Sequence, residues 1–160
     1  MTAIEGEENM GELNTIDEIL DFAVGEEEKA HDFYTGLASK MEKPWMKKAF
    51  EDFAKEELGH KAKLQKIKEE GFKTHAPDKV PDLKLTDYVI DVKPSPDMNY
   101  QDALIVAMKA EKAAYKLYTD LAAKADDENV RQLFLDLAQE EANHKLRFET
   151  EYDDHYLTEY

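Results

Sequence analysis

The stretches Phe50–His60, FEDFAKEELGH, and Phe134–His144, FLDLAQEEANH, decide how this chain is read. They stand 84 residues apart and share a Phe, an Asp, an Ala, two consecutive Glu and a His at matching places. The same register extends outward without a gap, laying Ala23–Gln65 on Ala107–Glu149. Upstream it pairs Glu27 with Glu111, Ala30 with Ala114, Tyr34 with Tyr118, and Leu37 and Ala38 with Leu121 and Ala122. About a third of the positions are identical, well above chance, and so long a period occurring only twice means a duplicated helical hairpin rather than a solenoid.

Each half reads as two helices. Thr15 with Glu18 three residues on forms a capping-box pattern, so helix 1 is expected over about 15–41. Pro44 suits a first helical turn and Gly71 a helix end, which gives helix 2 over 44–70. Asn99 and Asp102 predict helix 3 over 99–125, and Asp126 or Asp127 caps a helix 4 over 127–152, fraying near Tyr152. The acidic segment 1–13 and the tail 154–160 are expected to lie outside the domain. Residues 72–98 hold Pro77, Pro81, Pro94 and Pro96. A connection that long is uncommon. It suits a crossover running the length of a bundle, so that helices 2 and 3 point the same way. Leu83, Leu85, Tyr88, Val89 and Ile90 are expected to pin it, with room for a short helix. The fold class expected is all-α, an antiparallel four-helix bundle of two repeated hairpins.

The apolar stripes contain the chemistry. Helix 1 reads Ile16, Leu20, Ala23, Glu27, Ala30, Tyr34, Leu37, Met41, and helix 2 reads Met46, Phe50, Phe53, Glu57, His60, Leu64, Ile67. Helix 3 reads Leu104, Ala107, Glu111, Ala114, Tyr118, Leu121, Ala125, and helix 4 reads Val130, Phe134, Leu137, Glu141, His144, Phe148. Six side chains able to ligate a metal thus fall in what should be a dry seam. Burying a lone carboxylate costs several kcal/mol, roughly, so four need a counter-charge. No Lys or Arg occupies these stripes. Two divalent cations would balance Glu27, Glu57, Glu111 and Glu141, and His60 and His144 would give each ion a neutral nitrogen.

Spacing and register agree. Glu57 and His60 are i, i+3 on one helix face, as are Glu141 and His144. From Glu27 to the turn near Lys43 is about 24 Å at helical rise, and from that turn to Glu57 about 21 Å. The hairpin therefore brings the two levels together. A lone Glu-x-x-His is a weak signal; Glu28 and His31 also fit it, but their counterparts are Lys112 and Tyr115. His31 is expected beside the seam rather than as a ligand. Tyr34 and Tyr118 share the faces of Glu27 and Glu111, either as core aromatics or as hydrogen-bond donors to metal-bound carboxylates. Glu56 and Glu140 point about 100° off the seam and are expected as solvated charges or inter-helix ion pairs.

Composition limits the partners. The 160-residue chain suits one domain. Its net charge of -16 argues against nucleic acid and against an anionic membrane surface, and favours attraction of cations. It has no cysteine, which excludes disulfides and thiolate metal sites. The start of the chain lacks a secretory pattern and no apolar run approaches about 20 residues, so a cytoplasmic location is expected.

The wording Glu-x-x-Ala-x-x-x-Tyr-x-x-Leu-Ala followed by Phe-x-x-Ala-x-Glu-Glu-x-x-His resembles the rubrerythrin family of ferritin-like di-iron carboxylate proteins, over about Thr15–Tyr152. The resemblance implies a non-haem di-iron oxidoreductase with two Fe ions, manganese being acceptable to the same ligands. Glu27, Glu57, His60, Glu111, Glu141 and His144 would be the metal ligands. Peroxide or dioxygen would be the substrate, and a homodimer or higher homo-oligomer is expected. Many members carry a C-terminal rubredoxin domain with four cysteines; this chain has none, so a separate donor such as a rubredoxin-like protein is implied. Members also place a Glu three residues after the helix-3 ligand, where Ala114 stands here. That departure gives weight to a ferroxidase or iron storage and transfer role, with Fe(II) as substrate. A metal-free acidic interaction module is the remaining reading.

Overall fold

Local chemistry sets where each helix starts. The computed structural model describes residues 14–70, 79–80 and 98–156. Helix α1 spans Ile16–Lys40, α2 Pro44–Glu70, α3 Tyr100–Lys124 and α4 Glu128–Tyr156. Proline opens α2 because its fixed φ suits a first turn whose N–H has no helical partner. The Lys43 carbonyl just before it accepts from the amides of Met46 and Lys47, both at 3.1 Å. Asn99 caps α3, its side chain accepting from the Asp102 amide at 2.8 Å. Asp127 caps α4, accepting from the amides of Asn129 at 2.7 Å and Val130 at 3.3 Å. Replacing Asn99 with alanine leaves an orphan amide and should cost about 1 kcal/mol, measurable by thermal unfolding. No change in stability would show that the cap carries nothing.

The observed bounds differ from the expected ones at both ends of α1, α3 and α4, by one residue everywhere except the end of α4. α1 begins at Ile16, one residue later than expected, because Thr15 belongs to a two-residue strand β1 (Asn14–Thr15). α4 continues to Tyr156 instead of fraying near Tyr152. Tyr152 packs on the core and its hydroxyl accepts from Gln101 Nε2 at 2.9 Å, so the helix is held past that point. Strand β2 (Lys79–Val80) pairs antiparallel with β1, Asn14 opposite Val80 and Thr15 opposite Lys79. This small ladder was not expected from the sequence. Of the tail expected over 154–160, residues 154–156 belong to α4, whereas 157–160, the segment 1–13, and Leu83, Leu85, Tyr88, Val89 and Ile90 lie outside the described residues.

Contacts between helix ends fix the topology. Lys68 near the end of α2 pairs with Asp21 near the start of α1, as an antiparallel hairpin requires. Tyr100 at the start of α3 packs its ring on Phe50 near the start of α2, centroids 6.5 Å apart. It also donates to Glu151 late in α4 at 2.8 Å. The end of α2 and the start of α3 therefore lie at opposite ends of the bundle. α2 and α3 thus run the same way, as in a bundle with one long crossover.

Two apolar layers close the ends of the bundle. One gathers Ile19, Leu20, Leu64, Leu117, Tyr118, Leu121, Phe134 and Leu137 with smaller neighbours. The other gathers Tyr34, Leu37, Phe50, Phe53, Leu104 and Phe148 with Ala38, Ala54, Ala103 and Ala107. The second is richer in rings: Phe148 lies 5.6 Å from Tyr34, 5.9 Å from Phe50 and 5.2 Å from Phe53. Between these layers sits a band of buried polar side chains. No helix among the described residues is long and apolar enough to cross a membrane.

Candidate metal centre

All six residues singled out by the sequence meet in that band. Glu27, Glu57, His60, Glu111, Glu141 and His144 are each at most 3% exposed. Their ligand atoms fall into two groups, each with its atoms within 4.8 Å of one another. Glu27, Glu57, His60 and Glu141 form one group; Glu57, Glu111, Glu141 and His144 form the other. Glu57 and Glu141 belong to both, so they stand between the two positions while Glu27 and Glu111 flank them. Each hairpin supplies part of both groups, as the duplicated sequence requires.

Six atoms in this band have no hydrogen-bond partner: Glu27 Oε2, Glu57 Oε1, His60 Nδ1, Glu111 Oε2, Glu141 Oε1 and His144 Nδ1. They face one another. His60 Nδ1 lies 2.7 Å from Glu141 Oε1 and 3.6 Å from Glu27 Oε2. His144 Nδ1 lies 3.1 Å from Glu57 Oε1 and 3.6 Å from Glu111 Oε1. Acceptor atoms buried this close repel unless a proton or a cation lies between them. The donor set is hard carboxylate oxygen with imidazole nitrogen, which suits iron or manganese. The residues therefore fit two divalent ions.

The electrostatics of the metal-free protein say the same. Burial pushes Glu57 well above the usual carboxylate range, and Glu27 beside it pushes further. Burial does the same to Glu141, aided by the charges of Glu111, Glu57 and Glu27. Burial also acts upward on Glu27, but the neighbouring Glu57 and His60 and the hydrogen bond from Tyr118 outweigh it and hold Glu27 below its ordinary value. His144 rises to about 11: burial opposes this, but the carboxylates of Glu111 and Glu57 beside it prevail. His60 moves the same way, burial opposing and Glu27 prevailing. Without metal, protons take the place of the missing positive charge.

Around this band lies a reciprocal hydrogen-bond frame. Tyr34 donates to Glu111 Oε1, and Tyr118 donates to Glu27 Oε1. Each phenol thus reaches the carboxylate of the opposite hairpin. Both are buried, which raises their pKa well above the usual value and keeps them as donors. Of the two roles open to these tyrosines, core aromatic or carboxylate donor, they fill both.

Glu56 and Glu140 form inter-helix pairs, one of the two roles expected of them, and their partners are the two histidines of the centre. His144 Nε2 donates to Glu56 and His60 Nε2 donates to Glu140, again across hairpins. These contacts turn both Nδ1 atoms inward, the tautomer a metal requires. A straight helical wheel aims these glutamates away from the seam, but their side chains are long enough to return. The available signal was their identity at equivalent positions in the repeat. Glu56→Gln or Glu140→Gln should weaken metal binding by about 10–100-fold while the fold persists. Unchanged affinity by competitive chelator titration would remove this role. His31 stays outside the centre, its Nδ1 bonded to the Ala54 carbonyl at 3.0 Å.

Four helices joined by one long crossover around paired carboxylate–imidazole groups define a ferritin-like bundle. The Rubrerythrin family model matches residues 18–152, and the chain belongs to that family. Among solved structures it is similar to a hypothetical protein from Pyrococcus furiosus, at 27% identity and TM-score 0.69, over 86% of this chain and 87% of the other. It is also similar in fold to a protein from Thermotoga maritima described as a ferritin-like diiron-carboxylate protein. That match has 18% identity and TM-score 0.76 and covers 89% of this chain and 97% of the other. No curated protein matches the chain.

Proposed function

We propose that this chain is a non-haem di-iron oxidoreductase that reduces peroxide or dioxygen with electrons from a separate donor protein. One observation carries the reading: six buried ligand atoms without hydrogen-bond partners, aimed at two adjacent positions. Glu27 and Glu111 would be terminal ligands, Glu57 and Glu141 would bridge, and His60 and His144 would complete one metal each. The two ions would supply two electrons, one apiece, to the bound oxidant. The rest falls to the protein. The carboxylates neutralise the ions, the apolar layers keep bulk water out, and Glu56 and Glu140 hold the imidazoles in place. Tyr34 and Tyr118 hold Glu111 and Glu27 in position.

The test is anaerobic reduction of iron-loaded protein followed by one equivalent of hydrogen peroxide. Oxidation of both irons within the mixing time, and steady turnover with a reduced rubredoxin-like donor, is the expected result. Iron that stays ferrous would sink the reading.

A second reading is iron oxidation for storage or transfer. The two-fold repetition of the ligands favours it: Ala30 and Ala114 stand at equivalent places, so neither helix adds a carboxylate three residues after its ligand glutamate. Uptake of many irons per chain into a large assembly, seen by size-exclusion chromatography with iron analysis, would select it. Two irons per chain in a dimer would select the enzyme.

A further inference from the structure

We propose that a cavity between α1 and α3 is the port by which a small ligand reaches the two-metal position, and that Ala30 and Ala114 limit it to molecules of two or three heavy atoms. The proposal rests on the reading that the six residues hold two metals, and it names which molecules can reach them.

The cavity measures about 50 Å³. All four carboxylates, Glu27, Glu57, Glu111 and Glu141, line it, and neither histidine does. The imidazoles come from α2 and α4, so the free side of the centre faces α1 and α3. On that side four alanines, Ala30 and Ala114 with Ala110 and Ala113 beside them, line it together with Phe22, Leu117 and Tyr118. These four are half-buried, unlike the fully buried glutamates, so the cavity reaches solvent here. Glu26, half-buried at the rim and paired with Lys29 at 3.1 Å, marks the mouth.

Position explains why alanine matters. Ala30 and Ala114 follow Glu27 and Glu111 by three residues, so each shares its glutamate's face one turn on. Any side chain there must lie against the carboxylates. With only a methyl group at each place, the space holds roughly three or four water-sized groups. Hydrogen peroxide, dioxygen or azide fits. A hydroperoxide carrying a cumyl group does not.

Azide binding to the ferric, iron-loaded protein tests this apart from turnover. Wild type should bind azide, giving a new charge-transfer band. Ala114→Leu and Ala30→Leu, one from each wall, should keep their iron and weaken azide binding by about tenfold or more, because added methylenes overfill the space. Ala114→Ser, of similar size, should bind as wild type does. Hydrogen peroxide should oxidise the reduced wild-type centre at least about tenfold faster than cumene hydroperoxide, for the same steric reason. Iron-replete leucine variants that bind azide as wild type does would overturn the proposal, and so would equal rates with the two peroxides. If neither peroxide reacts but the azide pattern holds, the port stands and the oxidoreductase reading falls.

Discussion

Glu57→Ala is expected to lower iron content from two ions per chain to less than one. Glu57 belongs to both ligand groups, so its loss removes an oxygen from each position. It also removes one of four negative charges in a buried site, leaving two dications undercompensated. Unfolding can be separated from ligand loss. In the metal-free protein Glu57 is a buried acid held well above the usual carboxylate range, a cost rather than a gain. The metal-free variant should therefore melt no lower than metal-free wild type, apart from the effect of a small cavity. Glu69→Ala, at an exposed position on the same helix, is the control and should keep both ions. Full occupancy in Glu57→Ala, measured by plasma emission on protein purified without chelator, would refute the bridging role.

Removal of metal is expected to lower the melting temperature by on the order of 10 °C near neutral pH. An ion bound at about a thousand times its Kd contributes about 4 kcal/mol, and a domain of this size shifts by roughly 2–4 °C per kcal/mol. The gap should widen as pH rises. Glu57 and Glu141 have folded pKa values raised above 4.5, so the metal-free fold loses stability as pH climbs past that value. His60 and His144 are raised above 6.5. Their stabilisation is present below 6.5 and fades as pH rises toward the folded value, about 11 for His144. Glu27, held below 4.5, acts oppositely, but only in acid. Metal displaces these protons and so binds more tightly at higher pH. Differential scanning calorimetry of both forms at pH 6 and pH 9 checks this. A gap that stays constant or narrows would contradict the account.

The centre was legible in the sequence because burying charge is expensive. Acids at Glu27, Glu57, Glu111 and Glu141, placed where leucine or phenylalanine belongs, demand a compensating ion, and an 84-residue repeat makes coincidence untenable. Three helix starts carry strong local signals in Pro44, Asn99 and Asp127, and the structure places them there. Glu56 and Glu140 form the inter-helix pairs expected of them as one alternative, but helical phase could not name the histidines as their partners, because it gives the direction of a Cα–Cβ bond, not the reach of a long side chain. The extension of α4 to Tyr156 depends on Tyr152 meeting Gln101 of α3, a tertiary contact without local trace. The ladder of Asn14–Thr15 with Lys79–Val80 is two residues long, too short to show alternation.

The most direct measurement is anomalous scattering at the iron and manganese edges, on crystals grown without added metal. The account predicts two peaks per chain, one in each ligand group, with Glu57 and Glu141 between them, and stronger signal at the iron edge. A band of buried glutamates holding no ion, or metal found only on the outer faces of the helices, would contradict it.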